Sequence, residues 1–205
     1  MQFQKTNYQL LTDEVTRRID KSNKPSLLLH ACCAPCSSYV LEYLNEYFNI
    51  TLYFYNPNIS PREEYEFRRD ELCRLVKEMG LSDSIRVIDG NYESERFASI
   101  SKGLEALPEG GARCEKCFKL RLGRAARAAK DGGFDFFTTT LSISPHKNAE
   151  LLNSIGKELS ARFGVPYLFS DFKKRGGYKR SCELSVEYGL YRQDYCGCEF
   201  SKANK

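Results

Sequence analysis

Short apolar runs of strand length alternate with longer amphipathic stretches along most of the chain. The apolar runs predict strands at residues 26–30, 50–55, 85–88 and 134–141. Helical spacing of apolar positions predicts helices at 37–48, 62–79, 115–130 and 149–163, with a further helix from Asp89 to about Lys102. Strands that alternate with helices indicate an α/β fold, with an open, mostly parallel sheet and helices on both faces.

The 205 residues fit a single domain with an extension. We expect a polar leader over 1–24, an α/β core over 25–170 and a C-terminal segment rich in cysteine and tyrosine over 171–205 that closes over the sheet edge as a lid. No apolar stretch approaches the roughly 20 residues that span a bilayer, and the leader lacks the apolar core of a secretory signal. We therefore expect a cytoplasmic protein that does not bind a membrane.

Unusual polar residues follow each predicted strand. They are Cys32 and Cys33, then Asn56 and Asn58, then Asp89, and finally the run 144–147. In open α/β sheets, ligands bind beyond the carboxyl ends of the strands. The pattern therefore predicts one functional site at this edge of the sheet.

Nine cysteines are unusual for a cytoplasmic chain, because stable disulfides are rare in a reducing compartment. Cys32, Cys33 and Cys36 cluster at a strand-to-helix turn, and Cys114 and Cys117 form a CxxC motif at the start of another helix. Two such groups supply four thiolates for a tetrahedral metal or an iron–sulfur cluster. Spacing alone leaves a structural zinc site open, but the location at the ligand-binding edge favours a functional metal.

Cys196 and Cys198 form a CxC motif near the end of the chain. A disulfide between them would close a very small ring, which raises its reduction potential and suits an electron relay. The alternative is that both thiols are further metal ligands. We assign structural roles to Cys73 and Cys182, which belong to no such motif.

The balance of 31 basic and 27 acidic residues gives a net charge of +4, which permits an RNA partner without requiring one. Two basic runs are candidates for phosphate contacts: Arg121, Arg124 and Arg127 on one helix, and Lys173, Lys174 and Arg175 in the tail. The tail tyrosines Tyr178, Tyr188, Tyr191 and Tyr195 could stack on unpaired bases. A solvated charged surface and ordinary packing explain the same residues.

Five motifs together resemble the cobalamin-independent epoxyqueuosine reductases. They occur in order at 30–37 (HACCAPCS), 55–59 (YNPNI), 113–117 (RCEKC), 144–147 (SPHK) and 195–198 (YCGC). The resemblance implies a Rossmann-like fold of the HUP type and reduction of epoxyqueuosine to queuosine at the wobble position of tRNA. It also implies a reaction that uses no cobalamin, and we expect an external electron donor.

The resemblance further implies roles for individual cysteines. Cys32, Cys33, Cys114 and Cys117 would hold a [4Fe–4S] cluster, and Cys196 and Cys198 would form a redox-active disulfide. An additional iron ion is possible in this family. Its candidate ligands are Cys36, which could instead support the cluster from outside, Asp89 and the CxC thiols.

Removing an epoxide oxygen needs two electrons, two protons and a group that holds the departing oxygen. Asp89 and His146 are the candidate catalytic side chains beside the CxC pair, although a helix-capping turn would also explain His146. Two other functions remain as alternatives: a metal-dependent tRNA thiolation enzyme and a zinc-stabilised RNA-binding module without catalysis. The first would need ATP, and the loop after the first strand lacks the glycine-rich sequence that cradles phosphates.

Overall fold

The computed structural model describes residues 6–203 and places four parallel strands in one sheet. The strands are β1 (Ser26–His30), β2 (Asn49–Phe54), β3 (Arg86–Asp89) and β4 (Phe136–Thr139), in the order β3-β2-β1-β4. His30 at the end of β1 lies between Tyr53 of β2 and Thr139 of β4. The predicted open parallel α/β sheet is confirmed.

Helices surround this sheet. They are α1 (Tyr8–Thr16), α2 (Ala34–Leu44), α3 (Arg62–Glu78), α4 (Ser94–Ser101), α5 (Ala112–Asp131), α6 (Ala149–Phe163), α7 (Gly177–Glu187) and α8 (Glu199–Ala203), with a 3-10 helix at Thr140–Ile143. Helix α2 begins three residues before the predicted start, because Pro35 is tolerated in a first turn, where its missing N–H would have no partner. Cys36 therefore lies inside the helix and not before it.

Alternate side chains of the strands enter two separate cores, one on each face of the sheet. On β1, Leu27 and Leu29 pack with residues of α2 and α3, whereas Leu28 packs against α5 and α6. Both faces of the sheet are therefore buried, and its strands read as nearly continuous apolar runs.

The crevice between β1 and β4 is the switch point of the sheet. After β1 the chain enters α2, which packs on one face, and after β4 it reaches α6, which packs on the other. Two neighbouring strands whose connections leave toward opposite faces open a crevice at their carboxyl ends. The loop that carries Cys32 and Cys33 and the segment 144–147 border this crevice.

Strand β4 ends two residues before the predicted boundary. The Thr139 hydroxyl accepts a hydrogen bond from the Leu141 amide at 3.1 Å, and this contact turns the chain into the 3-10 helix. On its outer edge, β4 is bridged in parallel by the backbone of Tyr167, with Leu168 N donating to Phe137 O at 2.9 Å.

The tail contains helix α7, which the sequence pattern did not predict. One face of α7 is buried, and Leu184 is its one large aliphatic side chain there, beside Ser181 and Ser185. Such a short apolar stripe gives little helical periodicity. Helix α7 packs against α2, and Arg180 joins it to Glu42 by a salt bridge of 2.7 Å.

The N-terminal helix α1 corresponds to the predicted leader, whose residues 1–5 lie outside the described part of the chain. Asn7 caps α1, and the Thr12 hydroxyl donates to the Phe169 carbonyl at 2.6 Å. Residues 204 and 205 of the predicted tail also lie outside the described part. Within 6–203, every helix is too short or too polar to cross a bilayer.

We predict that Gly177→Ala destabilises the protein by about 3 kcal/mol, because overpacking a tight contact carries a cost of this order. A Cβ atom at this position would overlap the Phe172 carbonyl oxygen and the Tyr39 ring, and so push α7 away from α2. Urea denaturation of the purified protein measures the effect. Gly176→Ala is the matched control: its φ of 76° strains an alanine by about 1 kcal/mol, but apart from its chain neighbours no atom of residues 6–203 lies within 4 Å of the added Cβ.

Candidate active site

A cavity of about 380 Å³ opens at the crevice between β1 and β4. Its walls come from the β1–α2 loop, the segment 144–147, α3, α5 and the tail, and include Cys32, Cys33, Cys36, Arg68, Arg121, His146, Lys147, Tyr178, Arg192, Gln193, Tyr195 and Cys196. A narrow space of about 30 Å³ adjoins it and is lined by Cys114, Cys117, Cys196 and Cys198. The two spaces share Arg121, His146, Lys147 and Cys196, so the predicted single site at the sheet edge is one connected region.

The sulfur atoms of Cys32, Cys33 and Cys36 all lie within 4.8 Å of one another. The extended backbone of Cys33 caps α2, so Cys32 and Cys33 precede the helix and Cys36 reaches back from its first turn. Hydrogen bonds from Cys33 and Cys36 hold the pKa of the Cys32 thiol well below its usual range, and the charge of Arg121 adds to this effect. The same hydrogen bond to Cys32 raises the pKa of Cys33 to about 12. The hydrogen bonds within this trio therefore favour the thiolate of Cys32 over the thiolates of Cys33 and Cys36.

The CxxC cysteines lie in the first two turns of α5. The Cys114 thiol accepts a hydrogen bond from the Gly110 amide at 3.3 Å, and Cys117 is buried, which raises its pKa to about 11. Arg113 fixes the start of this helix, since its buried guanidinium donates to the carbonyls of Leu104, Glu105 and Leu107 at 2.6–2.9 Å. The helix start is therefore tied to the preceding loop, and both sulfurs have fixed positions.

The CxC segment is held against the loop that follows β2. Ser60 N donates to the Gly197 carbonyl at 3.0 Å, and Asn58 Nδ2 donates to the Cys196 carbonyl at 3.4 Å. Gly197 has a φ of 95°, and a Cβ there would lie 2.8 Å from Ile59. Both CxC cysteines are thiols in this structure. A hydrogen bond from Cys198, together with the charge of Lys147, lowers the pKa of Cys196 well below its usual range.

Lys147 is a site residue that the sequence analysis did not single out. Its side chain is 12% exposed, its ammonium lies 3.7 Å from a Glu109 carboxylate oxygen, and it borders both spaces. Burial lowers its pKa, but Cys196, Cys32 and Glu109 outweigh this and leave a net rise, so Lys147 stays cationic. His146 is exposed at the mouth, and Asn148 caps α6. The lysine at the end of the SPHK run was the feature of the sequence that could have identified this residue.

Two buried side chains hold the cysteine loop against α5. Arg121 Nη2 donates to Asn56 Oδ1 at 2.5 Å, and Asn56 Nδ2 donates to the Ala31 carbonyl at 2.9 Å. Arg121 therefore lies beside the cysteines in the interior. It does not share the exposed surface of Arg124 and Arg127, where phosphate contacts would form.

His30 joins the ends of three strands and was not predicted as a site residue. Burial lowers its pKa to about 3, so the ring is neutral. The hydrogen-bond network assigns its tautomer: Nε2 donates to the Tyr55 carbonyl at 3.1 Å, and Nδ1 accepts from the Thr139 hydroxyl at 2.8 Å. This arrangement fixes the floor of the crevice beneath Cys32.

Asp89 is placed outside the lining of the cavity. It ends β3, the edge strand that β2 and β1 separate from β4, whereas the crevice lies between β1 and β4. Its carboxylate accepts a hydrogen bond from the Tyr65 hydroxyl at 2.5 Å and forms a salt bridge of 3.2 Å with Arg69. The structure does not bring Asp89 to the cysteines, because strand order, which the sequence pattern did not supply, separates them.

The other predicted cations lie on two surfaces. Arg124 donates twice to the Glu93 carboxylate, at 2.7 and 2.6 Å, and Arg127 forms an exposed pair with Asp131. Lys173, Lys174 and Arg175 line a groove of about 680 Å³ beside the start of α1. Lys147 borders both this groove and the cavity, so the tail cations continue outward from the site.

Seven cysteines border the two connected spaces, and the other two do not. Cys73 is exposed on α3, and Cys182 lies half-buried on α7. A donor set made only of sulfur fits the thiolate ligation of iron–sulfur clusters, and it also fits zinc. The compact trio is Cys32, Cys33 and Cys36, while Cys114 and Cys117 face the adjoining space.

The sequence model of the family described as Epoxyqueuosine reductase QueH matches residues 27–204. The chain belongs to this family. Relatives named Epoxyqueuosine reductase QueH include that of Streptococcus pyogenes, 41% identical over 97% of this chain and 79% of the relative. Those of Staphylococcus epidermidis and Thermotoga maritima are 41% and 38% identical, over 98% and 86% of this chain and 87% and 90% of theirs. The family resemblance drawn from the five motifs is confirmed.

We predict that Asn56→Ala destabilises the protein by about 2–3 kcal/mol and lowers its metal content. The substitution leaves the buried Ala31 carbonyl and the charged Arg121 guanidinium without this partner. Urea denaturation measures the stability, and iron and sulfide analysis after anaerobic purification measures the metal. Asn49→Ala is the control, because its exposed side chain bonds only the Lys24 carbonyl in this structure, and it should cost about 0.5 kcal/mol or less.

Proposed function

We propose that this chain reduces epoxyqueuosine to queuosine at the wobble position of tRNA. One observation carries the proposal: in a member of this family, seven cysteines border a single cavity at the switch point of the sheet. Opening the epoxide to an alkene consumes two electrons and two protons and releases one water molecule. A thiol-rich cavity that also holds cations can supply both electrons and charge stabilisation.

We assign the [4Fe–4S] cluster to Cys32, Cys33, Cys114 and Cys117, which come from two elements that the Asn56–Arg121 contact holds together. When bound, such a cluster passes single electrons from an external donor. Cys36, whose sulfur is close to those of Cys32 and Cys33, either supports this site or binds a second iron. The buried thiols, together with Arg121, fit this assignment because thiolates need nearby positive charge when they leave water.

Cys196 and Cys198 act as a dithiol in this proposal. Their oxidation to a disulfide releases two electrons and two protons, which is the full requirement of the reaction. Gly197 and the hydrogen bond from Asn58 hold the pair so that Cys196 borders both spaces and Cys198 borders the smaller one. The external electron donor then reduces the disulfide back to the dithiol.

Lys147 stabilises the departing oxygen. Its ammonium keeps a positive charge at the junction of the two spaces, and a fixed charge in a site that excludes water stabilises negative charge that develops during a reaction. His146, at the mouth, can deliver a proton to this oxygen. Asp89 has no part in this scheme, because the structure places it outside the cavity.

The cavity fits one nucleoside, since about 380 Å³ lies near the lower end of the roughly 300–1,000 Å³ range of ligand pockets. The wobble nucleoside must therefore leave the anticodon stack to enter it. We place the enzyme in the cytoplasm, where a reducing environment keeps such thiols available. We also propose that the chain forms one domain, whose tail completes the cavity with Tyr195 and Cys196.

We predict that the double variant Cys196→Ser and Cys198→Ser keeps its iron and sulfide but loses reduction of epoxyqueuosine, to the background of a reaction without enzyme. Serine preserves the size of the side chain but cannot form the disulfide. Visible absorption of anaerobically purified protein measures the cluster, and mass analysis of tRNA nucleosides measures turnover. Cys73→Ser, on the exposed face of α3, is the control and should retain both.

Three outcomes would contradict the proposal. Full turnover in the double variant would remove the dithiol from the mechanism. A colourless wild-type protein that contains zinc would favour a zinc-stabilised RNA-binding module. Loss of the cluster in the double variant would make the CxC thiols metal ligands.

We also predict that tRNA affinity falls steeply with added salt, because lysine and arginine side chains release counterions from phosphates. Lys174→Ala should lower the slope of log Kd against log salt concentration by about 1. Lys77→Ala is the control, since it lies in the last turn of α3, at the opposite edge of the sheet, and should not change the slope. Fluorescence anisotropy with labelled tRNA measures both. A flat salt response of the wild type would argue against phosphate contacts.

A further inference from the structure

Three exposed aromatic side chains lie around the mouth of the cavity: Phe67, Tyr178 and Tyr191. We call them the aromatic rim. Their exposed fractions are 50%, 38% and 40%. Each ring therefore leaves surface open to solvent that a partner can contact.

Each residue of the aromatic rim either lines the cavity or is the chain neighbour of a residue that does. Tyr178 lines the cavity itself. Phe67 precedes Arg68 in the chain and Tyr191 precedes Arg192, and both arginines line the cavity. The Phe67 and Tyr191 rings meet edge to face, with centroids 5.3 Å apart and an interplanar angle of 74°. The aromatic rim is therefore continuous with the wall of the cavity.

Polar contacts with α3 hold Tyr191 in place. The Tyr191 amide donates to Glu71 Oε1 at 2.6 Å, and Arg74 donates to the carbonyls of Tyr188 and Gly189 at 3.0 and 3.3 Å. These bonds anchor the tail to α3 on both sides of Leu190, whose side chain is buried. A ring on a fixed backbone loses little conformational freedom when it binds a ligand.

Positive charge is interleaved with these rings. The Arg192 guanidinium lies 5.8 Å from the centroid of the Tyr178 ring, and the Lys202 ammonium lies 5.7 Å from that of Tyr195 inside the mouth. Aromatic rings combined with cations are the usual means of binding single-stranded nucleic acid, where bases stack on rings and cations contact phosphates. A neutral apolar partner would not need these charges.

The size of the cavity indicates which part of a bound RNA lies over the aromatic rim. The cavity holds one nucleoside, so the nucleotides bonded to it on either side must lie at the mouth, where the rim is. We propose that the aromatic rim stacks the unpaired bases that flank the nucleoside bound in the cavity. This inference rests on the proposed function, because it takes the bound nucleoside to be part of an RNA loop.

The test measures binding without turnover. The probe is a fluorescein-labelled anticodon stem–loop RNA with guanosine at the wobble position, and the full-length protein is prepared anaerobically. Tyr191→Ala and Phe67→Ala should each weaken its Kd by about 5- to 100-fold, the range for loss of one stacked base. Tyr191→Phe keeps the ring and should stay within about 3-fold of wild type. Val186→Ala, 83% exposed on α7, is the matched control for loss of an exposed apolar side chain and should bind as wild type does.

A second RNA makes the test specific for stacking. It lacks the bases, but keeps the sugars and phosphates, at the two positions that flank the wobble nucleotide. Wild-type protein should bind this RNA more weakly, and removal of the two bases should cost Tyr191→Ala less affinity than it costs the wild type, because one stacking ring is already missing. Additive losses would show that the ring contacts another part of the RNA and would overturn the proposal, as would wild-type affinity of both alanine variants for the intact loop.

Turnover of free epoxyqueuosine nucleoside separates this inference from the proposed function. The alanine variants should reduce the free nucleoside at the wild-type rate, because neither Phe67 nor Tyr191 lines the cavity. Wild-type protein that fails to reduce epoxyqueuosine in tRNA, yet binds the loop in a rim-dependent way, would overturn the proposed activity and leave the rim intact. If the wild-type protein reduces epoxyqueuosine in tRNA but the alanine variants bind the loop as tightly as the wild type does, the stacking proposal alone is overturned.

Discussion

The amide of Asn56 makes two hydrogen bonds on which the geometry of the whole site depends. One fixes the Ala31 carbonyl at the start of the cysteine loop, and the other satisfies the buried guanidinium of Arg121 on α5. The two groups of cysteines belong to elements about 80 residues apart in the chain, and this contact links them directly. An amide suits the position because it donates on one side and accepts on the other, which neither a carboxylate nor an apolar side chain can do.

Charge balance explains why so many cations are buried around the thiols. Negative charge on Cys32 and Cys196 would be unfavourable in a cavity with little water unless positive charge lay close by. Arg121 and Lys147 supply it, since their charges add to hydrogen bonds from neighbouring cysteines in lowering the pKa of Cys32 and Cys196 respectively. The same cations can stabilise an anionic oxygen, so one electrostatic arrangement serves both the sulfur ligands and the substrate.

Within a few residues of the tail, the side chains proposed to contact RNA are followed by those proposed to take part in the reaction. Tyr191 is exposed, Arg192 and Tyr195 line the cavity, and Cys196 borders both spaces. A chain that passes from surface to cysteine in five positions places the proposed RNA contacts outside close to the proposed redox chemistry inside. This arrangement suits a substrate that is a single modified nucleoside within a large polyanion, because the cavity alone contacts too little of such a molecule to select it.

The sequence by itself determined the strands, the parallel α/β sheet and the seven cysteines of the site, because apolar periodicity and closely spaced motifs are local properties of the chain. It also carried the family resemblance, through motifs that follow the strand ends. Only the tertiary structure decided that Asp89 lies away from the cavity, that Arg121 is buried in its wall, and that Lys147 and Arg68 border it. Strand order and the docking of α7 govern those positions. Both arise from packing between segments far apart in the chain, which no local pattern records.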